Sequence, residues 1–214
     1  MAKDYKKEYK DLYLPKTKPM VIDIPEMQFV AVEGKGDPND KDGEYPKAMQ
    51  LLYSIQFTIK MSKMGNNRLN GYFDYVVPPL EGLWWLDNNE KFSPKNKSQY
   101  NWISMIRLPE FVDTDIYKWA CNEVLNKKNI ETKNAKFLKM TEGLCVQCMH
   151  VGSYDDETRT IDMIEKFIEE NNLEINITDK RRHHEIYLSD PRKTASEKLR
   201  TVIRIPVKKI KHKR

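Results

Sequence analysis

Apolar side chains along the chain alternate between a spacing of about two residues and one of three to four, and these switches predict the elements. Residues 27–33 (Met-Gln-Phe-Val-Ala-Val-Glu) read as a strand, ended by the loop Gly34-Lys35-Gly36-Asp37-Pro38. From 44 to about 61, Ala48, Leu52, Ile55 and Ile59 recur at helical spacing, widened by Met49, Tyr53 and Phe57, which predicts a mostly buried helix. Residues 71–77 predict a second strand closed by Pro78-Pro79, and 102–108 a third. Between them lie Leu80-Glu81-Gly82-Leu83-Trp84-Trp85 and a polar loop rich in Asn, Lys and Ser. Asp113 or Thr114 caps a helix running to about 127, with Ile116, Trp119, Ala120 and Val124 facing inward.

The pattern then repeats. Residues 144–151 read as a strand, and Asp155 or Asp156 opens a helix with Ile161, Ile164 and Ile168 on one face. Residues 183–188 and 199–207 are further strands, separated by a short turn with capping-box spacing at Thr194-Ala195-Ser196-Glu197. Each half is strand, helix, strand, strand, which predicts an α+β fold of duplicated βαββ modules with pseudo-twofold symmetry. Antiparallel sheets would carry helices on one side and leave a ligand cleft between the modules. The boundaries follow: an extended lead-in over 1–26, broken by Pro15, Pro19 and Pro25, then a single domain over 27–207, then a basic tail over 208–214. Within the domain, module one spans about 27–110, a linking helix about 113–128, and module two about 143–207.

Composition excludes several classes. The hydrophobic fraction of 39% with 8 Gly and 11 Pro in 214 residues is that of a globular domain, not a disordered or collagen-like chain. No apolar run approaches the ~20 residues of a membrane span, and the lysine-dense start is followed by no apolar stretch, so a cytoplasmic location is expected. Three cysteines are too few for a disulfide framework. Cys145 and Cys148 form a C-x-x-C, but inside a strand their sulfurs diverge to opposite faces, so they read as core residues rather than metal ligands. The four histidines (His150, His183, His184, His212) show no metalloenzyme spacing. No metal and no cofactor is expected.

The net charge of +5 raises nucleic acid as a partner. Its distribution argues otherwise: residues 19–203 hold 25 basic and 29 acidic side chains, so the excess belongs to the two ends. The stretch 204–214 carries Arg204, Lys208, Lys209, Lys211, Lys213 and Arg214 without an acid or an aromatic residue, and reads as a solvated end. Nucleic acid is an unlikely partner.

The candidate chemistry lies in two places. Along 183–188, alternation puts His183, Glu185 and Tyr187 on one face and His184, Ile186 and Leu188 on the other. Ile186 and Leu188 are expected to meet the helix, leaving Glu185 and Tyr187 toward solvent or the seam between modules. By the offset between Pro78 and Pro191, Glu185 occupies the slot of Tyr72 and Tyr187 that of Asp74. The second place is aromatic: Trp84, Trp85, Trp102 and Trp119 all fall within 84–119, and two adjacent tryptophans cannot both face the core of a two-layer fold. Aromatic walls around one carboxylate suit flat, apolar and often cationic ligands.

The run His183-His-Glu-Ile-Tyr-Leu-Ser-Asp-Pro-Arg-Lys-Thr-Ala-Ser-Glu-Lys-Leu199, with Pro79-Leu-Glu-Gly-Leu-Trp-Trp85 and the helix holding Tyr117-Lys-Trp119, resembles the GyrI-like (gyrase-inhibitor-like) small-molecule-binding family, and within it the stand-alone bacterial subfamily. The resemblance covers about 20–207. It implies paired βαββ modules with a ligand cleft. In relatives that are effector domains of multidrug-responsive activators, it implies a buried glutamate among aromatic residues that binds lipophilic cations. In a stand-alone subgroup it implies hydrolysis of cyclopropane-bearing alkylating compounds inside an aromatic cage. On that resemblance Glu185 is the central carboxylate, Tyr187 its neighbour, and Trp84 or Trp85 the cage wall. Tyr53, Trp119, Met105 and Met149 are further ligand-binding candidates, placed by strand and helix phase alone. The activators carry a helix-turn-helix domain before this module, and about 26 residues are too few for one, so the chain is not expected to be such an activator by itself.

Two functions follow from these residues. A binding protein would use Glu185 as counter-charge and the tryptophans as stacking walls for hydrophobic or cationic xenobiotics. A hydrolase would use Glu185 and Tyr187 as catalytic residues, the first on a water and the second on the carbonyl that gains electron density as a strained ring opens.

Overall fold

The structure, a computed structural model, describes residues 2–65, 69–87 and 96–210. Most of the polar loop before 101 and the tail beyond 210 lie outside the described residues. The fold is α+β, with a mostly antiparallel sheet and a few helices. In chain order the elements are α1 (Tyr5–Glu8), α2 (Lys10–Tyr13), β1 (Met20–Lys35), α3 (Glu44–Met61), β2 (Leu80–Trp85), β3 (Asn101–Arg107), α4 (Thr114–Lys128), β4 (Ala135–Val151), α5 (Thr158–Glu170), β5 (Leu173–Ile175), β6 (His183–Tyr187) and β7 (Arg200–Lys209). No helix among the described residues is long and apolar enough to cross a membrane.

The chain divides into two compact units, one of residues 1–8, 27–80 and 86–140, the other of 9–26, 81–85 and 141–214. In the first, β1 and β3 pair antiparallel from Phe29 opposite Arg107 to Lys35 opposite Asn101. Gly34 lies opposite Trp102, and a methyl group there would sit 2.4 Å from the indole ring, so only glycine lets this fully buried tryptophan lie flat on the strand. The α3 stripe of Ala48, Leu52, Ile55 and Ile59 is buried as its spacing predicts. It is widened by Leu51 and Gln56 rather than by Tyr53 and Phe57, which are exposed. Gln56 gains its buried place by donating to the Arg107 carbonyl at 2.8 Å. Asp113 caps α4 by accepting from the Asp115 and Ile116 amides.

Two expectations fail in this unit. Residues 71–77 form no strand: Gly71 is left-handed, the Asp74 carboxylate takes the Tyr75 amide, and Lys60 and Lys63 hold that carboxylate at 3.2 and 2.8 Å. Pro78 and Pro79 then offer no amide, and the β-strand forms at 80–85 instead. The segment keeps one parallel bridge, Lys3 to Tyr75. Tyr72 and Asp74 therefore occupy no strand slot equivalent to Glu185 and Tyr187. Residues 1–26 are also not simply extended, since α1 and α2 form and β1 begins at Met20. Tyr5 is buried and donates to Glu110 at 2.7 Å.

In the second unit β7 pairs antiparallel with β4, β6 and β5. α5 lays Ile164 and Ile168 on a buried cluster of Val146, Cys148, Leu173, Ile203, Ile205 and Val207. Alternation along β4 puts Cys148 in this apolar core and Cys145 on the other face, near Glu142 and Arg204, so the two thiols diverge as the strand reading predicts. Burial pushes the Cys148 thiol up to about 11 and the Cys145 thiol up to about 12, leaving both as inert thiols.

Candidate functional site

Pairing across β4, β7 and β6 decides which face carries Glu185. Directly opposed residues of an antiparallel pair share a face. Glu185 opposes Ile203, which opposes Cys148, and both belong to the core under α5. Glu185 and Tyr187 therefore face α5. The alternation expected for His183, Glu185 and Tyr187 is observed, but the helix lies on their side of the sheet and not on that of Ile186.

The opposite face explains this assignment. His184 opposes Arg204, which opposes Gln147, and all three are fully buried. His184 Nδ1 lies 3.0 Å from Glu142 Oε1, and Arg204 donates to Glu142 Oε2 at 2.8 Å, to Gln147 Oε1 at 3.1 and 3.2 Å and to the Leu12 carbonyl at 3.1 Å. Glu81 Oε2 approaches His184 Nε2 at 3.0 Å, an ion-pair approach without hydrogen-bond alignment, and Tyr13 donates to Glu81 Oε1 at 3.4 Å. Burial opposes charge on both His184 and Glu142, but each outweighs it for the other. With Arg204 beside them, Glu142 is held at about 2 and His184 is raised to about 9. Arg204, expected in a solvated tail, is instead the buried centre of this network, while Lys208 pairs with Glu174 at 2.9 Å.

On the α5 face both oxygens of Glu185 are engaged. Oε1 lies 3.0 Å from His183 Nε2, and Oε2 accepts the Tyr187 hydroxyl at 2.8 Å. The Tyr187 oxygen in turn accepts the Trp84 indole N–H at 2.8 Å. Trp84 reaches it because position 82 is glycine: a methyl group there would sit 2.6 Å from the indole nitrogen and 3.1 Å from the Tyr187 oxygen. The Glu185 and His183 side chains are 14% and 6% exposed, so the carboxylate sits in a largely dry setting with a residual opening.

The turn leading into α5 completes the cluster. Tyr154 meets the Tyr187 ring edge-on, with centroids 5.7 Å apart, and stays partly exposed. Burial and the charges of Glu157, Glu185 and Asp190 push its hydroxyl up to about 12. Glu157 is buried beside Glu185 and Thr201, and burial together with the Glu185 and Asp155 charges holds its carboxyl well above the usual range. His150 ties this turn to β4: Nδ1 is 2.8 Å from the Thr160 hydroxyl and Nε2 is 2.9 Å from the Ser153 carbonyl, the geometry of an Nε2–H tautomer.

The expected site residues thus separate. Glu185, Tyr187 and Trp84 come together in the second unit. Trp85, the next residue along β2, points to the other face and packs half-buried under the Arg182 guanidinium, 4.7 Å from its ring. Met149 opposes Val202 on the His184 face, so its strand phase takes it away from Glu185. The remaining three belong to the first unit. Met105 is fully buried on β3, Tyr53 stacks on Phe57 at 6.3 Å, and Trp119 lines a groove of about 410 Å³ with Met61, Thr58 and the Lys127–Lys128 end of α4. His183, Tyr154 and Glu157 belong to the cluster without having been singled out from sequence; His183 was legible, two positions before Glu185 on one strand face. Among the described residues no His, Cys, Asp and Glu cluster is arranged to hold a metal ion.

The GyrI-like small molecule binding domain model matches residues 17–208. The chain belongs to this family. Among solved structures, this GyrI-like chain is similar to a hydrolase from Listeria innocua, at 46% identity over 96% of this chain and 100% of that one, with a TM-score of 0.87. It is likewise similar to an uncharacterized conserved protein from Listeria innocua, at 47% identity, 96% and 100% coverage and a TM-score of 0.91. The EcmrR C-terminal domain shares the fold at 15% identity, with 90% and 98% coverage and a TM-score of 0.51. No curated protein matches the chain.

Proposed function

We propose that this GyrI-like chain binds flat, hydrophobic small molecules, cationic or electrophilic, against Glu185, and that it acts as a hydrolase on those that carry a strained ring conjugated to a carbonyl. The observation that carries this reading is the line Trp84 N–H to Tyr187 O–H to Glu185, which holds a carboxylate in a fixed pose among aromatic rings. Each carboxylate oxygen has a second acceptor position, so Glu185 can hold a water while keeping His183 and Tyr187. As the water oxygen bonds to a ring carbon, the strained C–C bond breaks and its electron pair moves to the conjugated carbonyl. Glu185 takes the water proton, and the enolate is reprotonated. Tyr187 spends its one hydroxyl proton on Glu185, so here it positions the carboxylate rather than reaching the carbonyl.

The similarity to a Listeria innocua protein called a hydrolase, at 46% identity over nearly the whole chain, favours turnover. The family's description as a small-molecule-binding domain favours the second reading, capture of a lipophilic cation without turnover. Both use the same carboxylate, whose charge attracts a cation and activates a water alike. Apart from the short strand β5 that follows α5, the element orders β1-α3-β2-β3 and β4-α5-β6-β7 support reading the chain as two βαββ modules related by pseudo-twofold symmetry. Incubation with a spirocyclopropyl dienone, followed by mass spectrometry, separates the readings: turnover gives a product heavier by one water, whereas capture returns the compound unchanged and quenches tryptophan fluorescence.

A further inference from the structure

Along α3 an apolar stripe stays exposed: Tyr53, Phe57 and Met61 recur four residues apart, so they share one face of the helix. Uncovered apolar surface of this kind marks binding sites. At the Met61 end lies the groove of about 410 Å³ that Trp119 lines, with Thr58 and Ser62 on the α3 side and Glu123, Lys127 and Lys128 on the α4 side. All of these residues belong to the first unit, whereas Glu185 belongs to the second. Small-molecule sites begin at ~300 Å³, and at ~30 Å³ per heavy atom the groove holds about a dozen. Its walls divide by chemistry. Trp119 is half-buried, Met61 offers a thioether, and Thr58 spends its hydroxyl on the Ser54 carbonyl at 2.8 Å, so this part suits a flat apolar body. The α4 side is charged. Lys127 pairs with Glu123, and among the described residues no acid pairs with Lys128. Asn129 closes α4 by donating its amide to the Leu125 carbonyl at 3.0 Å, so neither lysine is needed as a cap. Ser62 is 8% exposed, and its hydroxyl has no hydrogen-bond partner among the described residues. A buried hydroxyl left unpaired is costly, and a ligand oxygen beside it removes that cost.

We infer that this groove is a second ligand site and that it takes small amphipathic carboxylates. The apolar body lies on Trp119 and Met61, the carboxylate turns toward Lys127 and Lys128, and the Ser62 hydroxyl donates to a ligand oxygen. The lining sets two cations against one acid, so an anion gains where a cation of the same shape loses. That preference is the reverse of the one ascribed to Glu185. The inference goes beyond the reading of Glu185 and stands without it.

The test uses the full chain and three probes built on one ring: 1-naphthaleneacetate, the uncharged 1-naphthaleneacetamide and protonated 1-naphthylmethylamine. The indole N–H resonance of Trp119, assigned by its loss in Trp119→Phe, reports the groove, and its titration gives Kd. Naphthaleneacetate is expected to move this signal and to bind roughly two- to tenfold tighter than the amide, the range that two exposed lysines supply. The amine should be the weakest of the three at this signal. Replacing both lysines, Lys127→Gln with Lys128→Gln, should erase the preference for the acid while leaving amide binding in place. Ser62→Ala should weaken naphthaleneacetate by roughly two- to tenfold. Glu185→Gln should leave the Trp119 titration as it is in wild type. A Trp119 signal that naphthaleneacetate does not move overturns the inference. So does equal binding of acid and amide, or a preference for the acid that survives loss of both lysines. Full affinity in Ser62→Ala overturns the hydroxyl's part in it, and a response lost in Glu185→Gln overturns a site separate from that carboxylate.

Discussion

Tyr187 and Glu185 stand two residues apart on β6 and are joined by a 2.8 Å hydrogen bond from the phenol to Oε2. Strand geometry makes this bond: residues i and i+2 share a face, and a tyrosine long enough to lean along the strand meets the carboxylate beside it. Tyr187→Phe keeps the ring and removes the donor. Losing a hydrogen bond to a charged group costs about 1.5–3 kcal/mol, so turnover or cation affinity should drop by roughly ten- to a hundredfold. Stability should fall by a comparable amount, since the Glu185 carboxylate and the Trp84 N–H both lose this partner in a largely buried setting while the ring packing against Tyr154 remains. Steady-state kinetics and a thermal melt of the same variant check both halves.

The Trp84 indole is placed by what position 82 lacks. Gly82→Ala puts a methyl group within 2.6 Å of the indole nitrogen, so the ring must swing off the Tyr187 oxygen. Overpacking of this kind costs about 1–3 kcal/mol of stability. The variant should melt lower and bind ligand more weakly, whereas Trp84→Phe in the Gly82 background introduces no clash and loses the N–H bond together with part of the buried ring packing. Comparable ligand affinity in wild type and Gly82→Ala would count against this placement.

The His184–Glu142–Arg204 network sets a pH window for stability. His184 is raised from 6.5 to about 9, so its contribution is complete below about 6.5 and is lost as pH rises through 9. Glu142 is lowered from 4.5 to about 2, so its contribution is complete above about 4.5 and is lost as pH falls through 2. Melting temperature, as far as this network governs it, should plateau between those limits. Glu142→Gln leaves two buried cations with one acid fewer and should cost about 3–5 kcal/mol, and His184→Gln should remove the alkaline limb. A denaturant titration repeated across pH measures both.

These residues also show what a sequence can carry. The face shared by His183, Glu185 and Tyr187 was legible because alternation is local. Which way that face turns was not, because it is decided by Arg204, Gln147, Glu142 and Glu81, far apart in sequence and joined only by strand pairing. The motif around Glu81 and Trp84 was visible, but its strand was assigned to residues 71–77, whose β-rich composition is overruled by Asp74 and its two lysines. Phase alone placed Met149 among the ligand residues, and the resemblance left Trp85 as an alternative to Trp84; register puts Met149, and alternation along β2 puts Trp85, on the face away from Glu185. Glu157 and Tyr154 carried no signal, since a turn before a helix has no periodicity to read.

The central claim is that the Glu185 carboxylate works on the bound small molecule. A spirocyclopropyl dienone incubated with wild type and Glu185→Gln in isotopically labelled water, with products weighed by mass spectrometry, tests it most directly. Wild type should give a ring-opened product carrying one labelled oxygen, and Glu185→Gln should give none above the protein-free background. Equal product from both proteins, or no water adduct from wild type, would contradict the account.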